Sequence, residues 1–275
     1  MHPAVSLQIH TGNVGLVLAA TLAPASAAGT TSPANDEWRF GATLYVWLPA
    51  ISGTTRFPSG ASGPSIDLRA DEVLDKLDRA LMGTLEARRG KWGGLADWVY
   101  SDLSARKSAS RDFTIGGVPI GAATADLGLG VKTNVVTLAG TYAVLDSPLN
   151  TTSLVAGARM LKTEQTLDWT FASGPVLGVA RSGTASASTT NWDAIVGVRG
   201  RARYEGAPRW FWPYHLDVGT GESSSTLQAA AGVAYAFDFG EVGLAWRYLD
   251  YRFKSSEAVQ SLTFNGLALG VAFRF

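Results

Sequence analysis

The sequence contains no cysteine and only three histidines in 275 residues. That excludes a disulfide framework and thiolate metal sites, and the imidazoles are too few and scattered to give a metal-ligand spacing. No apolar run approaches the ~18 residues of a membrane-spanning helix. Charge is sparse and balanced: Asp, Glu, Lys and Arg make up 17% of residues and the formal net charge is zero. A nucleic-acid partner has no electrostatic footing in such a chain. No cofactor motif fills the gap. Gly128-x-Gly130 and Gly219-x-Gly221 lack the strand–helix context of a nucleotide site. Asn150-Thr-Thr152 matches a glycosylation sequon in a turn and is read as accidental.

What the chain has instead is glycine, aromatics and alternation. It carries 31 Gly, 9 Trp, 8 Tyr and 11 Phe. From residue 37 onward it falls into about ten segments in which apolar residues recur at every second position, the period of a strand with one apolar face. The first sets Trp38, Phe40, Ala42, Leu44, Val46 and Leu48 against Arg39, Gly41, Thr43, Tyr45 and Trp47. Segment 79–88 sets Leu81, Gly83, Leu85 and Ala87 against Met82, Thr84, Glu86 and Arg88. A turn at Arg89-Gly90 then pairs Leu85 with Gly94 and Leu81 with Trp98, apolar opposite apolar, and Met82 with Asp97 on the inner side. A second two-residue turn is expected at Phe239-Gly240, and Pro213 inside its segment predicts a bulge.

An even number of antiparallel segments, with short connections alternating with longer polar ones, predicts an all-β fold: an antiparallel transmembrane β-barrel with short periplasmic turns and long extracellular loops. Trp38, Trp92, Tyr142, Tyr204, Trp210, Phe237 and Phe275 gather at the predicted periplasmic ends, where amphipathic rings sit at headgroup level. A soluble sandwich or lipocalin-like barrel is the competing fold. In the last eleven residues Leu267, Leu269, Val271, Phe273 and Phe275 point one way, against Gly266, Ala268, Gly270, Ala272 and Arg274. Gly270-x-x-Phe273-x-Phe275 resembles the terminal assembly signal of outer-membrane barrels, which implies recognition by the barrel-assembly machinery.

The opposite faces carry Arg39, Glu86, Arg88, Asp97, Arg159, Asp193, Arg199, Arg201, Arg203, Asp217 and Arg247. An Arg facing lipid at midplane costs roughly 2–4 kcal/mol, so this face is expected to be the lumen. Unpaired charge in an interior is costly, so the Arg residues are expected to pair with Glu86, Asp97, Asp193 and Asp217 and occlude the lumen. A narrow, anion-favouring channel is the alternative.

Residues 14–22 are a short apolar run followed by Ala25-Ser26-Ala27-Ala28, the h-region and cleavage site of a signal peptide (1–28), though no Lys or Arg precedes Val14. Residues 29–36 read as a flexible mature terminus, and 37–275 as the barrel. The extracellular connection 49–78 carries Val73, Leu74 and Leu77 at helical spacing, either a surface helix over the mouth or a plug. Its acidic residues Asp67, Asp71, Glu72, Asp75 and Asp78 read as a solvated face rather than a cation site. Arg106, Lys107 and Arg111 are placed in a second outer loop, as solvated charge or as contacts to lipopolysaccharide phosphates.

The chain resembles a family of poorly characterised bacterial outer-membrane β-barrel proteins. The residues that carry the likeness are Gly41-Ala-Thr-Leu-Tyr45, Trp47-Leu-Pro49, Ala80-Leu-Met-Gly83, Glu86-Ala-Arg88 with Gly90, and Asp193 with Val196-Gly-Val-Arg199. Asp217-Val-Gly219, Arg247-Tyr-Leu-Asp250 and Phe273-Arg-Phe275 continue it over nearly the whole of 37–275. The resemblance implies an outer-membrane location and a barrel, and leaves the task open. The family pattern has no histidine before Leu216, so His215 is peculiar to this chain.

His215-x-Asp217 places an imidazole and a carboxylate on one inward face, near the expected outer end of its segment. Omptin proteases, also ten-stranded barrels, activate water with an Asp/His pair and further acidic residues near the rim. No second acidic cluster is evident here, since Asp97 and Asp102 have opposite parity. The expectation is therefore a non-enzymatic outer-membrane barrel with a structural or surface-contact role, without cofactor or metal and in contact with outer-membrane lipid and lipopolysaccharide. A narrow solute channel, a rim hydrolase using His215 and Asp217, and a soluble periplasmic binding barrel are the alternatives.

Overall fold

The computed structural model describes residues 37–55, 65–115, 118–173, 180–254 and 259–275. The expected signal peptide and flexible terminus lie outside them. In chain order the elements are β1 (Trp38–Thr55), β2 (Ser65–Leu68), α1 (Ala70–Asp75), β3 (Leu77–Arg89), β4 (Trp92–Ile115), β5 (Val118–Asp146), β6 (Asn150–Ser173), β7 (Ala180–Tyr204), β8 (Ala207–Gly221), β9 (Ser225–Ala236), β10 (Glu241–Arg252) and β11 (Val259–Arg274). From β3 onward each strand pairs antiparallel with the next, and β1 pairs with both β3 and β11. β2 pairs with β1 alone, so ten of the eleven strands close as a ring and β2 is a short appendage on β1.

The outer face of this ring is apolar and exposed. Leu85, Trp92, Val196, Tyr204, Leu267 and Leu269 are each more than half exposed, a surface that only lipid satisfies. At about 3.4 Å per residue and a tilt of roughly 40°, the outward row from Trp192 to Tyr204 rises roughly 30 Å and that from Leu267 to Phe275 roughly 20 Å. These bracket the ~25 Å band of outer-membrane barrels. Rings contact one another from strand to strand along the short-turn end: Phe40 on Phe275, Trp92 on Tyr142, and Trp210 on Tyr235 on Phe237. At the opposite boundary Trp98 Nε1 donates to Asn134 and Trp246 Nε1 to Asn265, a second girdle that sequence reading missed.

Beyond that boundary the faces exchange character. The outward row of β6 becomes Lys162 and Glu164, an ion pair at 2.6 Å, while the inward row runs on to Trp169 and Phe171. Alternation itself continues without a break. Only the solvent outside the wall has changed, from lipid to water.

Several sequence expectations are corrected. The β3–β4 turn is Gly90-Lys91, with Gly90 at φ 58°, so Leu85 meets Ala96 and Gly83 meets Trp98. Met82 accordingly faces Val99, and Thr84 faces Asp97. β9 and β10 join through four residues, with Phe237 N–H donating to Gly240 O at 2.7 Å. Both registers differ from expectation by two residues, which preserves every inward and outward assignment. No bulge forms at Pro213, which holds its place opposite Arg201, although the pairing with β9 passes over Trp212 and Pro213; the β7–β8 register shifts between Arg203 and Tyr204, where the extra residues 208–210 belong to β8. The expected second outer loop is a hairpin, so Arg106, Lys107 and Arg111 lie within β4. The connection from β8 to β9, expected to be long, is only three residues, 222–224.

Candidate functional site

Inside the ring, side chains stack in three tiers. The tier farthest from the short turns is apolar. Trp47, Ile51, Val99, Val135, Leu161, Leu249, Tyr251 and Phe264 are buried and form one cluster. The β1–β3 ladder stops at Leu44↔Gly83, and there Trp47 N–H turns to Met82 Sδ at 3.1 Å. The excursion through β2 and α1 covers this opening, and Val73 of α1 drops into the cluster. Leu74, expected beside Val73, is instead 53% exposed, because one helical turn presents only one side chain to the cluster.

The middle tier is ionic. Arg247 Nη2 donates to Asp97 Oδ2 at 2.8 Å and to Gln228 Oε1 at 2.9 Å, and Arg247 Nη1 donates to Tyr45 OH at 2.7 Å. Tyr45 OH and Thr84 Oγ1 both donate to Asp97 Oδ1, so the carboxylate accepts three hydrogen bonds in all. The Arg247 guanidinium also lies 4.8 Å from the Trp47 ring centre, joining this tier to the apolar one. Arg159 grips Asp217 with a two-pronged contact at 2.8 and 2.6 Å, both side chains fully buried. Gly197 lies opposite Asp217 on the intervening strand β7, where a Cβ would come within 2.6 Å of the Asp217 Cβ. Its missing side chain makes room for Arg159 to cross.

Asp193 takes no Arg among the described residues. Its Oδ1 accepts from Ser223 N–H at 2.9 Å, since Arg159, its cross-strand neighbour, has turned to Asp217. His215 Nε2 lies 2.6 Å from Asp217 Oδ2. That oxygen also accepts from Arg159, so an ionised Asp217 requires Nε2 to carry the proton. The pair was expected near the outer end of its strand. It sits at mid-height beneath the apolar tier, and His215 faces toward the short turns. The carboxylate beside the imidazole is buried and already gripped, the arrangement of a structural hydrogen bond.

The tier nearest the short turns is a wide vestibule of about 860 Å³. Arg199 Nη2 donates to Glu86 at 2.6 Å, and Arg88 pairs with Asp146. Arg201 and Arg274 share Glu241, at 2.8 and 3.0 Å. Arg39 and Arg203 also line the vestibule. Glu241, Tyr45 and Gln228 are members that sequence reading passed over. Glu241 follows a turn whose register was misplaced, and the other two are uncharged. Gly270 and Phe273 lie in β11, and Phe275, 75% exposed, exchanges backbone hydrogen bonds with Phe40 at 2.7 and 3.0 Å where the ring closes. Among the described residues no group of three His, Cys, Asp or Glu could hold a metal ion.

No protein-family model matches the chain, and no curated protein matches its sequence. Among solved structures it is similar to the outer membrane protease OmpT from Escherichia coli. That match has 13% identity and a TM-score of 0.52, covering 90% of this chain and 99% of that one. The translocator domain of the autotransporter NalP from Neisseria meningitidis matches at 13% identity and TM-score 0.38, covering 86% and 88%. The attachment invasion locus protein Ail of Yersinia pestis matches at 11% and 0.33, covering 87% and 99%. At such identities the OmpT likeness is one of fold: this chain is an antiparallel outer-membrane-type β-barrel.

Proposed function

We propose that this protein is a closed, non-enzymatic barrel of the bacterial outer membrane, exported by a cleaved signal peptide and serving envelope structure or surface contact. The observation that carries the reading is the apolar tier across the lumen, in which Trp47, Leu249 and Tyr251 are at most 2% exposed. Such packing fills the section of the lumen that a solute would have to cross. Short turns belong to the periplasmic side of these barrels, so the seal lies toward the cell exterior and the vestibule opens inward. The surface role draws support from strand length: β5 has 29 residues and β10 only 12, so one side of the wall stands far above the other. Lipid contacts the apolar belt, lipopolysaccharide meets its outer boundary, and the assembly machinery reads Gly270, Phe273 and Phe275. The ionic tier, with the His215–Asp217 contact inside it, serves stability.

Single-channel recording of the refolded protein in planar bilayers tests this. The expected trace shows no steady conductance. A large, stable, anion-selective conductance would sink the closed-barrel reading and make the protein a pore.

A further inference from the structure

The vestibule carries more positive charge than pairing requires. Leaving Arg39 aside, its wall holds six guanidiniums, counting Arg247 at its inner end, and four side-chain carboxylates: Glu86, Asp97, Asp146 and Glu241. Each of these carboxylates already holds an Arg, and Glu241 holds two. The Arg203 side chain lines the same wall and its guanidinium forms no hydrogen bond or ion pair among the described residues. The middle tier is different, since there Arg159 and Arg247 each have a carboxylate of their own. The formal charge of the whole chain is zero, so the surplus is local.

Arg199, Arg201 and Arg203 occupy alternate positions of β7 and form an inward ladder spaced by about 7 Å. Guanidinium forks match the oxygens of phosphate or carboxylate, and low-dielectric walls closed at one end strengthen their field. The volume, about 860 Å³, is that of a small-molecule pocket and far exceeds a single inorganic ion. We infer that the vestibule is a binding site for an extended, multiply charged oxyanion, of phosphate or carboxylate class, entering from the periplasmic end. The site is independent of whether the barrel conducts, because ligand and ladder meet below the apolar tier.

Calorimetric titration of inorganic tripolyphosphate into the refolded barrel, in zwitterionic lipid nanodiscs free of lipopolysaccharide, tests the inference. Saturable binding is expected, with orthophosphate much weaker. Arg203→Gln should weaken tripolyphosphate about tenfold, the loss of one charge-assisted contact. Arg209→Gln, which removes a largely exposed partner of Asp238, should leave it unchanged. Arg274→Gln provides a second vestibule variant, and heat-modifiable electrophoretic mobility verifies that each protein is folded. Nanodiscs containing phosphatidylglycerol separate the sources. Competition that disappears in Arg203→Gln identifies a lipid headgroup as the oxyanion, and its absence identifies a free solute. No binding at millimolar tripolyphosphate, or equal weakening by Arg203→Gln and Arg209→Gln, overturns the site.

Discussion

Arg247 of β10 donates to Asp97 of β4 at 2.8 Å, although β11, β1 and β3 stand between them in the ring. The contact therefore ties together parts of the wall that share no ladder. Removing one partner of a buried pair leaves a charge uncompensated, at a cost of roughly 3–5 kcal/mol. Asp97→Ala should lose about that much in equilibrium urea unfolding followed by tryptophan fluorescence. Glu86→Ala should lose about 1 kcal/mol or less, because Glu86 and Arg199 remain 31% and 27% exposed to the vestibule. Equal losses would mean that the tiers do not differ in burial as described.

Gly197, facing the lumen, and Gly94, facing lipid, differ sharply in local space. A Cβ at Gly197 meets Leu216 O at 2.2 Å and Asp217 Cβ at 2.6 Å, whereas at Gly94 the nearest atom is Ala139 O at 3.7 Å. Gly197→Ala should destabilise by roughly 1–3 kcal/mol through overpacking, and Gly94→Ala by a few tenths or less. If the denaturation midpoint of Gly197→Ala matched wild type, β7 would not be packed so closely beneath the Arg159–Asp217 contact.

Phe275 has two separable roles. Its backbone forms the last rungs against Phe40, and its ring lies exposed at the girdle. Phe275→Ala keeps the rungs, so the refolded barrel should unfold within about 1 kcal/mol of wild type. In cells its outer-membrane yield should fall, and deletion of Phe275 should leave protein accumulating in the periplasm. Undiminished membrane yield after deletion would remove the assembly role.

His215→Ala should leave the barrel folded, with a loss on the order of 1 kcal/mol from one hydrogen bond. Any peptidase or esterase activity in a purified sample should survive the substitution. An activity that tracks His215 through purification and vanishes in the variant would replace the structural assignment with a hydrolytic one.

The sequence by itself determined which side of each strand faces lipid and which faces the lumen. Parity is a local property of the extended chain, and it survives a two-residue slip. Leu85 and Trp98 remain on the outer face, and Asp97 and Arg247 on the inner one, although the sequence pattern sets Leu85 opposite Gly94 and the fold sets it opposite Ala96. The count of ring strands follows from the same periodicity. Strand ends were less legible, since β6 keeps alternating after leaving the membrane while its two faces exchange polarity. Only the tertiary structure decided which charge meets which: Arg159 chose Asp217 over its cross-strand neighbour Asp193, and Glu241 came to serve both Arg201 and Arg274. These partners lie across one or more strands of a closed ring. Their meeting depends on closure, on stagger and on a gap such as Gly197, none of which a pattern along one strand contains.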